Sequence, residues 1–226
     1  MQISNLSEFL TTQQSIYAFL QGVYEKEVTE ADIKKISEIK KPILEITKLI
    51  TDKAAKSALE DLAKFIKEIP NADPKTITIT LAADYASLFL SINKVPAHPS
   101  ESTYREGVMM QHYRDEVLET YWSFGINPQK TFTEPEDHIA TELSFMAFLC
   151  GKAVDAIKAE DNKKAKKFVE AQKSFLEAHL NKWAPMLVKD ILDTGKTPFY
   201  KGLAVLTKEY LAMNVSINDE ILKQLK

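Results

Sequence analysis

Glu134-Pro135-Glu136-Asp137-His138-Ile139-Ala140-Thr141-Glu142-Leu143-Ser144-Phe145-Met146 sets acids and a histidine at the head of a strongly apolar helix. Ile139, Leu143, Met146, Leu149, Ala153 and Ile157 follow at steps of three and four, so they share one helical face. Pro135 suits the first turn, where a missing N–H costs nothing. Thr133 with Glu136 fits a capping box, and Asp137 is a competing cap. Asp137 and His138 then fall in the first turn, at the positive end of the helix dipole. That end favours an ionised Asp137, available to a cation. The helix is expected to run to about Ala159. An apolar groove beside fixed acids would suit a peptide with arginines followed by a hydrophobic run.

The same period extends in both directions. Leu6, Leu10, Gln13, Tyr17, Leu20 and Tyr24 mark a helix over 6–24. Thr29 to Asp32 reads as a capping sequence for a second helix to about Ile39. Pro42 interrupts, and Ile43 to Ile50 forms a third. Asp52 caps a helix whose apolar positions are Ala55, Leu59, Leu62, Ile66 and Ile69. Thr76-Ile77-Thr78-Ile79-Thr80 alternates and is β-branched, which alone is a strand signal. Asp73-Pro74 is nevertheless a good helix start, and Leu81, Tyr85, Leu88 and Ile92 continue at helical spacing. A lone strand has no partner elsewhere, so a helix over 74–92 is expected.

A loop follows over 93–102, then a helix over 103–124 with Gly125 as its C′ residue, then a loop over 127–133. Beyond the apolar helix, Asp161 starts a lysine-rich helix with Phe168, Ala171, Phe175 and Ala178 on its apolar face, ending near Asn181. Trp183 to Leu192 is a short helix with Pro185 in its first turn. Residues 199–212 form another, and Ser216 caps a last one to Leu225. The expected fold is all-α, a single-domain helical bundle of about ten helices spanning the chain.

Composition narrows the function classes. An apolar share of 45% with 27% charged residues is ordinary for a water-soluble globular chain. A net charge of −3 gives no reason to expect a nucleic-acid partner. One cysteine, Cys150, forms no internal disulfide, which fits a reducing compartment. No apolar run approaches the roughly 20 residues of a spanning helix, so no stable membrane insertion is expected. The first residues, through Thr12, lack a basic start and apolar core, and the expected location is the cytoplasm.

The chemistry-bearing residues are sparse. Among His98, His112, His138 and His179 no two have metal-pair spacing, and no carboxylate–histidine motif repeats, so neither a metal nor another cofactor is expected. His179 shares a face with Phe168, Gln172 and Phe175 and is expected to be packed and hydrogen-bonded. Cys150 is expected to be buried and inert. No glycine-rich phosphate loop and no Gly-x-Ser-x-Gly elbow occurs. Lys163, Lys164, Lys166 and Lys167 read as a solvated helix face. Adjacent Asp137 and His138 invite an acid–base pair. Residue mechanics alone favour a helix cap for Asp137 and a bond to a neighbouring loop for His138.

Acid-Pro-x-Asp-His-Ile-x-x-Glu-Leu-x-Phe-Met, at 134–146, resembles the signature of the TorD/DmsD/NarJ family of redox-enzyme maturation chaperones. Further likeness follows in order. Asp84-Tyr85-x-x-Leu88-Phe89 resembles a preceding helix, and Pro99-Ser100-Glu101-Ser102-Thr103-Tyr104 a Pro-x-x-Ser-Val-Tyr loop. Phe175-Leu176-x-x-His179-Leu180-x-x-Trp183-x-Pro185 resembles a late helix pair, and Phe199-Tyr200-x-x-Leu203-Ala204 a last long helix. The resemblance implies a cytoplasmic, non-enzymatic chaperone. It would bind the twin-arginine leader or apo form of a molybdenum-containing oxidoreductase subunit and assist its cofactor loading and assembly before export. Carboxylates are natural partners for guanidiniums, and the leader's apolar run needs a groove.

On that resemblance the peptide-binding candidates are Pro135, Glu136, Asp137, His138, Glu142, Leu88, Phe89, Pro99, Glu101 and Tyr104. Leu88 lies on the apolar stripe of its helix. Phe89 lies off it and is the better groove wall. Glu142, four residues past His138, can meet it or bind an arginine. Some family members carry a tryptophan after Pro99; Ser100 stands here and removes that contact surface, while Glu101 adds an acid. The resemblance leaves open a guanine nucleotide or molybdenum-cofactor donors as ligands. It also leaves open a monomer or a helix-swapped oligomer hinged over 93–102. Two other functions stay in view. One is a NarJ-like chaperone of a non-exported catalytic subunit. The other is a small helical hydrolase using Asp137 and His138.

Overall fold

The computed structural model describes residues 5–38, 40–91, 95–127 and 134–225, with the side chains at 34, 35, 37 and 38 excepted. Among these, eleven α-helices and no strand occur: α1 (Leu6–Glu25), α2 (Glu30–Glu38), α3 (Lys40–Leu49), α4 (Lys53–Glu68), α5 (Pro74–Phe89), α6 (Glu101–Glu106), α7 (His112–Ser123), α8 (Ile139–Lys158), α9 (Asn162–Phe175), α10 (Asn181–Thr194) and α11 (Pro198–Gln224). A short 3₁₀ turn, Ile69–Asn71, follows α4, and a π turn, Leu176–Leu180, joins α9 to α10.

Two compact units emerge. The first holds 1–25, 100–184 and 211–226; the second holds 26–99 and 185–210. In the first unit, α8 packs on both α1 and α9. Its buried face includes Ile139, Leu143, Met146, Leu149 and Ala153, as the spacing predicts. A Cβ on Gly151 would stand 2.8 Å from the Gln14 amide of α1, so the small residue lets the two helices close up. Phe145 anchors an aromatic cluster, with ring centroids 4.9 Å from both Tyr121 and Phe175. The end of α11 is tied in by Gln13 on Asn214 and by a Lys173–Asp219 ion pair at 2.6 Å.

The ambiguous threonine segment shows how tertiary context overrides strand propensity. Asp73 caps α5, accepting from the Thr76 N–H at 3.0 Å and its hydroxyl at 2.7 Å. The Thr78 and Thr80 hydroxyls donate back to Pro74 O and Thr76 O, each at 2.8 Å, so the β-branched residues are satisfied within the helix. Ile77, Leu81, Tyr85 and Leu88 are buried, while Ile79 is exposed. In the same unit Gly202 brings α11 against α4: a Cβ there would sit 2.5 Å from Leu62 Cβ and 2.9 Å from Ala58 O.

Several expected boundaries move. The helix over 103–124 is two helices, α6 and α7. Gly107 enters the left-handed region at φ 78°, with its N–H on Thr103 O, and stops α6. The helices over 199–212 and 216–225 are one, because the Ser216 hydroxyl donates to Met213 O within the helix instead of capping a new one. Pro185 lies inside α10 and not in a first turn, because the chain runs from α9 through the π turn without a break. The end expected at Ile92 and the cap expected from Thr133 lie outside the described residues; α5 itself ends at Phe89.

Asp84 organises the second unit. Its buried carboxylate accepts from the Lys196 N–H at 3.0 Å, the Thr197 N–H at 2.7 Å and the Thr197 hydroxyl at 2.6 Å. It thereby fixes the turn that starts α11. Asp84→Ala would strand these donors and is expected to lower unfolding free energy by about 3 kcal/mol, read from urea denaturation followed by far-ultraviolet circular dichroism. A loss within about 0.5 kcal/mol of zero would show that the turn holds without it.

Candidate functional site

The chain turns sharply before α8. Pro135 O accepts from the His138 N–H and from the Thr141 hydroxyl, both at 3.1 Å. His138, not Asp137, caps α8: its Nδ1 accepts from the Ala140 N–H at 3.1 Å. The helix therefore starts four residues after Pro135, which lies in the preceding turn. Asp137 is turned the other way. Its Oδ2 accepts from the Ser102 N–H at 2.8 Å and the Ser102 hydroxyl at 2.5 Å, and its main-chain oxygen accepts from Glu101 N–H. Ser100 and His138 form an isolated antiparallel bridge beside these bonds. The start of α6 is thus stitched to the start of α8.

Behind this stitching lies a buried acid cluster. Glu101 is fully buried and holds Arg105 Nη1 at 2.6 Å and His179 Nδ1 at 2.8 Å. The π turn presents His179 and leaves Ala178 O to accept from Arg105 Nη1 at 3.1 Å. The Arg105 guanidinium also lies 3.5 Å over the Tyr113 ring. Glu136 grips Arg114 through two parallel bonds, Nε at 2.6 Å and Nη2 at 2.9 Å. This pairing holds the Arg114 guanidinium above its ordinary value.

Glu142 accepts from Trp183 Nε1 at 3.1 Å, and Trp183 stacks on Tyr104 at 5.8 Å between centroids. Burial first, then the charge of Glu101, pushes the Glu142 carboxyl well above the usual carboxylate range. Its Oε1 has no donor among the described residues, which favours the neutral carboxyl in the same direction as the burial. Asp137 Oδ1 is likewise buried without a donor. Burial and the surrounding carboxylates raise the Tyr121 phenol as well, and its hydroxyl donates to Glu136 O.

These positions correct several expectations. Asp137 is not open to a cation: it is fully buried on Ser102. Glu142 meets Trp183 instead of orienting His138. Glu101 already has two partners. Asp137 and His138 bond to different backbone groups and form no acid–base pair with one another. His179 is packed and bonded as its spacing predicts, with its ring 4.8 Å from Phe175. Cys150 is buried, which raises its thiol above the ordinary range.

Leu88, Phe89 and Pro99 belong to the second unit. Leu88 is buried there, and so is Phe89, the expected groove wall. Phe89 packs 4.9 Å from Tyr85 and 6.1 Å from Tyr200, because α5 buries both edges of its stripe. Pro99 is half-buried. Among the described residues no group of three or more His, Cys, Asp or Glu is arranged to hold a metal ion. Arg105 and Arg114 escaped sequence motifs altogether. The available signal was scarcity: they are the only two arginines among 29 basic residues.

Comparison with known proteins places the chain among relatives. Residues 51–189 match the family described as "Nitrate reductase delta subunit". The chaperone protein TorD of Vibrio cholerae serotype O1, strain Ogawa 395, is 26% identical over 212 residues, which is 92% of this chain and 93% of the relative. The chaperone protein TorD of Aliivibrio fischeri is 24% identical over 94% of this chain and 97% of its own length. A solved structure from Archaeoglobus fulgidus, described as a redox enzyme maturation protein, aligns with a TM-score of 0.52 at 18% identity. It covers 94% of this chain and 97% of that one, and so shares the all-α fold.

The raised Glu142 carboxyl has a consequence for stability. Its protonated form supports the fold fully below the ordinary carboxylate value, and that support is lost as pH rises toward the folded-state value. Glu142→Gln keeps an acceptor for Trp183 and supplies a permanent donor. Between pH 5 and pH 8 the variant is expected to lose less stability than the parent, by about 1.4 kcal/mol for each unit of pKa elevation titrated in that window. Urea denaturation of both proteins at both pH values reads this difference. Identical pH slopes would mean that Glu142 is ionised in the fold.

Proposed function

This chain belongs to the nitrate reductase delta subunit family, and from that premise we propose that it is a chaperone for maturation of a molybdenum-containing oxidoreductase subunit. Acting as one chaperone domain, it binds the apo-subunit or its twin-arginine leader in the cytoplasm. It thereby holds the client open for cofactor loading before export. Kinship with TorD chaperones over nearly the whole chain is the observation that carries this reading. No helix among the described residues is long and apolar enough to cross a membrane, which suits a chaperone that meets its client before export.

The acids proposed to face the leader's arginines are Glu101, Glu136, Asp137 and Glu142, with His138 and Pro135 shaping the turn that carries Glu136 and Asp137, and with Tyr104 stacked on Trp183. In the second unit, taken by itself, Leu88, Phe89 and Pro99 are proposed as apolar contacts for a client segment. Support comes from the pairing that two of these acids make: Glu101 and Glu136 each hold a guanidinium. Because all four acids are buried, binding requires the α6 start to yield. A second reading draws on the name of the matched family: the client segment is a terminus of a mature, non-exported catalytic subunit.

Calorimetric titration with a twin-arginine leader peptide and a twin-lysine control tests the first reading. Binding of roughly micromolar strength is expected for the arginine peptide. It should weaken in Asp137→Asn and in Phe89→Leu, both checked for retained helicity. Equal binding of the two peptides, or none, would sink leader recognition. A peptide from the mature subunit's terminus is the ligand that the second reading then requires to bind.

A further inference from the structure

The first unit contains both arginines of the chain, and both rest on acids of the candidate site. The remaining basic side chains are 27 lysines, and ion pairs elsewhere, such as Lys48–Glu45, Lys173–Asp219 and Lys189–Asp193, are built with them. Lysine is thus the ordinary partner for an acid in this chain, yet at this site the planar guanidinium is used twice. Arg114 engages Glu136 with a two-pronged fork, and Arg105 combines its Glu101 bond with a stack on Tyr113. Lysine can reproduce neither geometry.

Burial is asymmetric within each pair. The Arg105 side chain is 22% exposed and Glu101 0%; the Arg114 side chain is 19% exposed and Glu136 6%. The acid has already been taken out of water, and the arginine is the member that reaches it. Removing an arginine to solvent would take the guanidinium partner from a buried carboxylate, at high cost, unless another guanidinium arrives. Exchange of one guanidinium for another avoids that cost, because the acid's desolvation is common to both states.

The two arginines also bracket one loop. Arg105 lies in the last turn of α6 and Arg114 in the first turn of α7, with residues 107–111 between the two helices. Val108, Met109 and Met110 of that loop are exposed, and the Met110 N–H ties it to Ser102 Oγ at 3.1 Å. Ser102 is the residue that holds Asp137. Release of both arginines would loosen the loop at its two ends, and Ser102 would relay the change to Asp137.

We propose that Arg105 and Arg114 are internal stand-ins for a client's arginine pair, occupying Glu101 and Glu136 until two foreign guanidiniums replace them. This rests on the reading of the acids as a guanidinium-binding site and adds an autoinhibitory step to it. The site discriminates arginine from lysine because the incoming group must match the fork and the stack that it displaces. The free chain keeps its acids paired, and an accidental single arginine gains little, since it must break one internal pair to form one external pair.

The test uses the full chain, its Arg114→Met and Arg114→Lys variants, and the double variant Arg114→Met/Glu136→Gln. The probes are an N-acetyl diarginine amide, its dilysine counterpart and the twin-arginine leader peptide. Arg114→Met is expected to bind the diarginine probe about tenfold more tightly than the parent, the equivalent of one net charge-assisted hydrogen bond. Arg114→Lys should fall between, the dilysine probe should show no gain, and the double variant should lose the gain. If Arg114→Met does not fold, Arg114→Lys decides. A folded variant with no gain for diarginine overturns the stand-in role. Leader binding by the parent without any gain in the variants overturns the stand-in alone. A diarginine gain without leader binding by the parent keeps the stand-in and overturns leader recognition.

Discussion

A carboxylate removed from water must be given donors or a proton, and this constraint shapes both units. Five acids are buried among the described residues: Asp84, Glu101, Glu136, Asp137 and Glu142. Four kinds of donor hold them, and Asp137 Oδ1 and Glu142 Oε1 keep no donor among the described residues. Asp84 collects backbone N–H groups and a threonine hydroxyl, Asp137 takes a serine, Glu101 and Glu136 take arginines, and Glu142 takes a tryptophan while burial pushes its carboxyl up. The devices differ in reversibility. Backbone donors are fixed by the turns that present them. Arginines and protons exchange with solvent.

That difference separates Asp84 from the acids of the candidate site. In the second unit the Asp84 contacts come from the turn between α10 and α11, so the acid is bound into the chain path itself. In the first unit the acids are held mostly by side chains, carried on α6, α7, the π turn and α10, and Asp137 takes the Ser102 N–H as well. Ser102 couples them, since its hydroxyl donates to Asp137 while accepting from Met110. The proposed function calls for contacts of this exchangeable kind, since a chaperone must hold and then release its client.

Much of this was legible in the residues. The apolar face of α8, the Asp52 and Asp73 caps and the packed His179 all follow from spacing and capping chemistry. The Asp-His pair exchanges its expected local roles, His138 capping α8 and Asp137 bonding the loop, because nothing in a linear pattern says which of two adjacent side chains turns back to cap. The direction of Asp137 is decided by Ser102, far away in sequence, and that of Glu142 by Trp183. Phe89 misled for a similar reason: a residue beside the stripe is exposed only if the neighbouring elements leave that edge uncovered, and Tyr200 covers it. Where helices break or merge, the decision fell to Gly107 in the left-handed region and to a serine that donates within its own helix.

The π turn between α9 and α10 makes the length of this stretch matter more than its composition. A π turn accommodates about one residue more than an α turn. Removing one residue between Phe175 and Trp183 would restore α geometry and rotate the start of α10 by roughly 100°. His179 would leave Glu101, Ala178 O would be claimed by the helix, and Trp183 would swing off Glu142. Single substitutions on the outer side of the turn leave that phasing intact. In descendants of this chain, insertions and deletions should therefore be far rarer across 176–182 than changes of residue identity at its exposed positions, such as Glu177.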